Sequence, residues 1–254
     1  MKNIIINTLI GALILIGSPH LIAENTAPQK TALEILQSSD RARGGGLPGI
    51  EWTLDMTTLE PGADTLHEIM TVNALDDFSL ATRVFPKRIA GGKLLQVRKN
   101  MWYAKPGLRK PISISPRQKL SGPAANGDIA ATNYALEYDA ELTGMEDING
   151  TSTYVLSLTA KNNWVTYDKI KYWVSTTGLV PVRAEFYTVS GKLFKYATFE
   201  NNNKIEYQGI SIPFVSKIEI VDAIKKGASS TLLYSEIKTK ALSALDFSPS
   251  VMMN

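Results

Sequence analysis

Residues 50–57 read Ile-Glu-Trp-Thr-Leu-Asp-Met-Thr, so that Ile50, Trp52, Leu54 and Met56 alternate with Glu51, Thr53, Asp55 and Thr57. A repeat of two sends the first set to one face of an extended chain and the second to the other, which predicts a half-buried strand. Comparable stretches recur at about 66–74, 78–86, 92–98, 100–104, 152–160, 169–176, 181–188, 193–200, 204–208, 211–221 and 229–238. Between them stand turn formers: Pro61-Gly62, Asp76-Asp77, Gly91-Gly92, Asn149-Gly150, Thr177-Gly178, Ser190-Gly191, Asn201 to Asn203, and Gly227. Strands joined by such short connections argue for an antiparallel meander. The expected class is mainly β with a few helices (α+β). No linker or internal repeat divides residues 24–254, which are enough for one large domain with a substantial core.

Two regions break the rhythm. Thr31 to Arg41 reads as a helix with Leu33, Ile35 and Leu36 turned inward, ended by the run Arg43-Gly44-Gly45-Gly46-Leu47-Pro48-Gly49. No Lys-Ser or Lys-Thr pair follows the three glycines and a strand comes next, so the run is a link and not a phosphate cradle. From Pro106 to Tyr138, Pro111, Pro116, Gly122 and Pro123 forbid long elements, while Asp128 to Tyr138 suits a short helix capped by Asp128. An irregular excursion of this kind serves either as a lid or cavity rim, or as a structural crossover closing one end of the sheet.

The first 23 residues, MKNIIINTLIGALILIGSPHLIA, carry Lys2 and then an apolar run from Ile4 to Ile16 ended by Gly17, Ser18 and Pro19. The run is shorter than the roughly 20 residues of a membrane span and fits an export signal cleaved after Ala23, an uncleaved anchor being the alternative. The chain has no cysteine, so no lipid can be attached to a thiol and no disulfide supports the core. Removing Lys2 lowers the formal charge from +3 to +2, with basic and acidic residues interspersed, which disfavours nucleic acid as a partner.

Catalytic chemistry finds little material. Beyond the signal the chain has one histidine, His67, and no GxSxG elbow, so no nucleophilic triad is expected. A zinc site needs several His or Cys ligands, and calcium loops of the DxDxDG type are missing. The pairs Asp76-Asp77 and Glu146-Asp147 sit beside turns, where acidic residues serve local hydrogen bonding. The expectation is therefore no catalytic residue, no metal and no cofactor. What remains is a set of large apolar groups on strands, among them Leu94, Met101, Trp164 and Trp173, most of which must fill a core. If a curved sheet and its covering helix do not pack tightly, some of them would line a pocket for acyl chains, and Trp52, Met56, Met70, Phe85, Leu95, Trp102, Tyr134 and Phe186 are the candidates. Each buried methylene would contribute about 0.8 kcal/mol.

The segments RVFPKRIAGGKLLQVRKNMWYAKPGLRKPISISPRQKLSG (83–122) and NGDIAATNYALEYDAELTGMEDING (126–150), with YVLSLTAK (154–161), YDKIKYWV (167–174) and PVRAEFYTVSGKLFK (181–195), resemble the LolA-like family of outer-membrane lipoprotein-sorting proteins, within the LolA/LolB superfamily. The likeness spans nearly all of residues 24–254. It is most specific at MWYAKP, at the TNY and EY of 132–138, and at EFYTVSGKLFK. The resemblance implies a strongly curved, unclosed antiparallel β-sheet, a half barrel covered by helices, with a hydrophobic cavity for acyl chains of a lipid or lipoprotein. It further implies a periplasmic carrier working between an inner-membrane exporter, with one of the resistance-nodulation-division (RND) type as the candidate partner, and the outer membrane. A sheet arginine touching the helical lid is part of the family pattern; Arg83, Arg88 and Arg98 are the candidates, all three reading otherwise as surface residues. Two other readings stay open: a non-catalytic periplasmic adaptor of such a transporter without soluble cargo, and, ranked last, a hydrolase using carboxylates.

Overall fold

A computed structural model describes residues 30–130 and 133–253 of the chain. The expected export signal and its cleavage point after Ala23 lie outside the described residues. Helix α1 (Ala32–Arg41) starts where Thr31 and Glu34 form a reciprocal capping box, each side chain accepting a backbone N–H of the other. Ile35, Leu36, Ser39 and Asp40 face inward. Leu33, expected inside, is about half exposed: it sits in the first turn of α1 at the margin of the buried stripe, about 60° round the helix from Leu36 and on the far side from Ile35.

The alternation at 50–57 becomes β1 (Ile50–Leu59), followed by β2 (Leu66–Leu75), β3 (Phe78–Phe85), β4 (Lys93–Val97), β5 (Asn100–Ala104) and β6 (Ile112–Ile114). A small pair, β7 (Lys119–Ser121) and β8 (Ala124–Ala125), leads to the short helices α2 (Asn126–Ala130) and α3 (Tyr134–Glu137). The chain then returns through β9 (Tyr138–Ile148), β10 (Thr151–Ala160), β11 (Lys169–Ser175), β12 (Pro181–Tyr187) and β13 (Leu193–Glu200). A separate hairpin, β14 (Asn203–Tyr207) with β15 (Ile210–Phe214), precedes β16 (Lys217–Asp222) and β17 (Ser229–Thr239). Among the described residues thirteen strands form one antiparallel sheet in the order β6-β5-β4-β3-β2-β1-β17-β16-β13-β12-β11-β10-β9. The sheet is curved and does not close on itself. Register shifts at Glu51/Thr53, Ile69/Met70, Val155/Leu156, Trp173/Val174 and Phe186/Tyr187 supply local bends that a sheet of this width needs in order to curl.

Alternation divides the side chains between two cores. The concave face holds Ile50, Trp52, Leu54 and Met56 of β1, Met70 and Val72 of β2, Leu156 and Leu158 of β10, Tyr172 of β11 and Phe186 of β12. Above them lie α1, Leu47, α2, α3 and the hairpin residues Ile205 and Phe214. The opposite face of β4 and β5 presents Leu95 and Trp102, covered there by Phe247 and Met252 from the C-terminal segment.

Several local expectations change. The stretch 211–221 is two strands, because at Val215 and Ser216 the chain leaves the hairpin and joins the main sheet; Val215 N–H donates to the Ala42 carbonyl and Tyr234 N–H to that of Ser216. Strand β9 was hidden by its polar, mostly exposed composition, and it takes in Glu146-Asp147, expected at a turn. The helix expected over 128–138 is two helices, and Asp128 lies inside α2 instead of capping it, its carboxylate accepting from Ala125 N–H at 2.8 Å. Arg83 is not on the surface: its Nε donates to Glu68 at 2.9 Å with both side chains largely buried.

Candidate functional site

The centre of the concave face is filled by the protein's own side chains. Trp52 packs beside Phe214 and Tyr234, Tyr134 meets Tyr138 and Tyr172 edge to face, and Phe186 stacks on Tyr167 with ring centroids 4.0 Å apart. Open space lies instead along the rim, where the covering layer meets the ends of the strands. One groove has a volume of about 690 Å³. It lies between the end of α1 with Gly46, Leu47 and Pro48, the β11–β12 turn from Thr176 to Val180, and the β14–β15 hairpin from Tyr207 to Pro213.

Local conformation explains how the chain builds these walls. Gly44 has φ +99°, and a Cβ there would stand 3.0 Å from Ile50 Cδ1, so only glycine lets the link after α1 pass this close to β1. Leu179, at φ +51°, holds a left-handed backbone that a branched apolar residue adopts at a cost, and its side chain packs on the edge of the core. Ile210 remains 64 % exposed on the hairpin side.

The groove continues. A second depression of about 200 Å³ shares Arg41 and Gly46 with it and is completed by Gln37, Asp40, Gly45, Asn133, Ala135 and Leu136. A third, of about 140 Å³, shares Asn133 and Leu136 with the second and reaches Asp77, Gln96, Arg98, Lys99, Glu137, Asn162 and Trp164. Together they form a furrow beside α1 and α3, apolar at one end and polar at the other. Leu136 and Trp164 stand more than half exposed at the polar end.

Charged groups under the cover hold its two parts together. Arg43, buried just beyond α1, lies with its guanidinium over the Tyr134 ring of α3. Asp40 Oδ2 accepts from Ala135 N–H at 2.7 Å, and burial pushes its carboxyl up to about 6 against the opposing pull of Arg43. Glu137 is pushed up to about 7, by burial first and by the negative Asp40 second. Deeper in, Lys195 Nζ donates to Tyr167 at 3.1 Å and lies 3.7 Å from Asp128, whose other oxygen accepts from the Tyr167 hydroxyl.

A solved LolA superfamily protein of Nitrosomonas europaea shares 31 % identity with this chain and superposes with a TM-score of 0.78, the match covering 88 % of this chain and 100 % of the other. This chain belongs to the LolA superfamily. A family model described only as an uncharacterized protein matches residues 76–254. An outer membrane lipoprotein-sorting protein domain of Vibrio parahaemolyticus has the same fold at 22 % identity, with a TM-score of 0.75 and coverage of 88 % and 98 %. A DUF1329 family protein of Desulfovibrio piger does so at 21 %, with a TM-score of 0.73 and coverage of 87 % and 97 %. No curated protein matches the sequence.

In this LolA superfamily member the eight residues named from sequence separate into three places. Trp52, Met56, Met70, Tyr134 and Phe186 are buried together in the concave core. Leu95 and Trp102, paired across β4 and β5, lie on the opposite face. Phe85 is exposed at the end of β3 beside the ring of His67, at a separate small depression with Arg88. His67 itself is exposed and bonded to Asp55 at 2.8 Å. The arginine that meets the helical cover is Arg43, from the link after α1, while Arg83 pairs within the sheet and Arg88 and Arg98 are exposed. The groove walls escaped sequence reading because they come from loops and a hairpin, where periodicity carries no signal; Leu47-Pro48 and Ile210 to Pro213, apolar residues among turn formers, were the available clue. Among the described residues no group of three His, Cys, Asp or Glu could hold a metal, and no helix is long and apolar enough to cross a membrane.

Proposed function

We propose that this protein is a periplasmic carrier that takes up acyl chains of a lipid or lipoprotein along the α1 furrow and hands them from an inner-membrane exporter to the outer membrane. The observation that carries the reading is the groove of about 690 Å³ walled by Leu47, Pro48, Leu179, Val180, Ile210, Ile212 and Pro213. Its size is within the range of small-molecule sites, and these apolar side chains share its walls with Lys30, Ser38, Arg41, Thr176, Gln208 and Ser211. Burying about ten methylenes there contributes roughly 8 kcal/mol before ordering costs, enough for holding without any catalytic group. Longer chains require α1 and its link to lift from the concave core, since the centre is filled. The resemblance of the sequence to lipoprotein-sorting relatives supports the periplasm as the compartment and an RND-type exporter as donor, with residues 1–23 removed on export.

Native mass spectrometry of protein purified from its own envelope tests this directly: bound lipid is expected, and Leu179→Asn should strip it. That substitution removes an apolar wall while placing at φ +51° a residue that tolerates the left-handed region, so the fold is kept. Protein that returns without lipid, yet captures the exporter, would replace the carrier by the adaptor.

A further inference from the structure

We infer that the small polar depression at the far end of the furrow is a headgroup site, which takes the primary ammonium of a zwitterionic phosphoethanolamine group on Gln96 and Glu137 while the phosphate faces Arg98 and Lys99. This rests on the carrier reading for the lipid tails, and on separate observations for the head.

Two residues that line the depression each carry a side-chain oxygen with no donor among the described residues, Oε1 of Gln96 and Oε2 of Glu137, both buried just behind its wall. Gln96 is 7 % exposed and lines the depression from β4. Its amide Nε2 is already committed, donating to the Arg98 carbonyl at 3.1 Å and lying 3.5 Å from Glu137 Oε1. What is left over is therefore an acceptor pair, one of its members a carboxylate. Leaving such atoms unbonded costs about 1–3 kcal/mol each, and two of them on residues that touch each other call for a common partner. The terminal torsions of Gln and Glu are broad, so a turn of each can aim its oxygen into the depression that the residue lines.

The missing partner must be a donor, and a cation suits it best. A primary ammonium offers three N–H groups and one positive charge, matching an amide oxygen plus a carboxylate. An anion alone is disfavoured by Glu137 and by Asp77 of the same lining but favoured beside Arg98 and Lys99, which are exposed and make no ion pair among the described residues. Two carboxylates and two cations around one small space suit a zwitterion, its ammonium toward Glu137 and its phosphate toward Arg98 and Lys99. The depression holds about 140 Å³, enough for a headgroup and too little for a tail, and Leu136 and Trp164 give its mouth an apolar edge. Shared walls, Asn133 and Leu136 and then Arg41 and Gly46, set this depression in series with the apolar groove proposed for the tails.

Charge on Glu137 then matters. Burial raises its proton affinity most, Asp40 from α1 and Asp77 from the β2–β3 turn add to that, and together they outweigh Arg43 and Gln96 to place it at about 7. Ammonium binding is expected to strengthen as pH rises from 6 to 8, as the carboxylate forms.

The test compares short-chain phosphatidylethanolamine and phosphatidylglycerol of equal tails, with free O-phosphoethanolamine as a third probe, by calorimetry on the delipidated protein at pH 8. The ethanolamine lipid should bind about tenfold tighter than the glycerol lipid, the size of one charge-assisted hydrogen bond. Glu137→Gln should bring that ratio to about one without weakening the glycerol lipid, and Arg98→Ala with Lys99→Ala, at exposed positions, should weaken both lipids equally. Binding of free O-phosphoethanolamine as tight as that of the lipid would identify a soluble zwitterion as the natural occupant. A wild-type ratio near one, as water filling the depression would give, or a ratio that survives Glu137→Gln, overturns the headgroup site while leaving the carrier intact. Failure of both lipids with retention of O-phosphoethanolamine overturns the carrier and keeps the site.

Discussion

The guanidinium carbon of Arg43 lies 4.0 Å from the centroid of the Tyr134 ring, joining the link after α1 to α3 across the roof of the concave core. Both residues are buried, and the same guanidinium draws down the proton affinity of buried Asp40. The cover is thus fastened by a charge set into an apolar interface, which is costly to break from one side.

Arg43→Met should lower unfolding free energy by about 3–5 kcal/mol, because it leaves the Asp40 carboxyl in the core without its neighbouring cation. Asp40→Asn should cost less, since the amide oxygen can still accept from Ala135 N–H and Arg43 keeps its seat over the Tyr134 ring. Urea denaturation of the two variants checks the order; equal losses would mean that the arginine contributes packing alone.

Acidification should stabilise the protein over part of the pH scale. The folded state raises Asp40 from 3.8 to about 6 and Glu137 from 4.5 to about 7, each by burial first. A group raised on folding favours the protonated form, so its contribution is fully present below the unfolded value and is lost as pH climbs through the folded one. Tm is therefore expected to fall between pH 5 and 7.5, and Glu137→Gln should flatten the upper part of that fall. Below about pH 4.5 the trend reverses, because Glu51, Glu146 and Glu185 are held below the ordinary carboxylate range by lysine, tryptophan, tyrosine or arginine partners that outweigh burial. Differential scanning calorimetry in steps of half a pH unit resolves both limbs.

The buried Asp128, Tyr167 and Lys195 network should respond unevenly. Lys195→Met leaves Asp128 with Ala125 N–H and the Tyr167 hydroxyl as donors, so the loss should be about 1–2 kcal/mol. Asp128→Asn strands the Lys195 ammonium against a hydroxyl and aromatic rings, and the loss should reach about 3–5 kcal/mol. Next to it, Gly127→Ala would put a Cβ 1.9 Å from Thr166 Oγ1, and overpacking of that kind costs about 1–3 kcal/mol.

The sequence made the strands readable because alternation reports which face is buried, and β1, β2 and β10 to β13 follow it closely. It did not reveal β9, whose exposed polar residues erase the contrast between faces, nor the three short strands among the prolines of 106–125. Of the candidate site, period two identified large apolar residues but could not say which side of the sheet is the inner one. Leu94 and Leu95 are adjacent, equally apolar and equally buried, yet they belong to different cores. The furrow was less legible still, since shared walls such as Asn133 and Gly46 acquire meaning only when α1 and α3 are brought together.

That division between faces yields a double dissociation. Leu95 is fully buried under Phe247 and Met252 on the side away from the groove, so Leu95→Ala should cost about 2–5 kcal/mol of stability and leave lipid bound per folded molecule unchanged. Leu179→Asn should do the reverse, because it removes groove wall at a backbone position that suits asparagine better than leucine. Urea midpoints measured alongside binding of a fluorescent acyl chain separate the two effects. A Leu95→Ala protein that stays folded but loses the probe would move the acyl site to the outer face, where the C-terminal segment would then be the cover that opens.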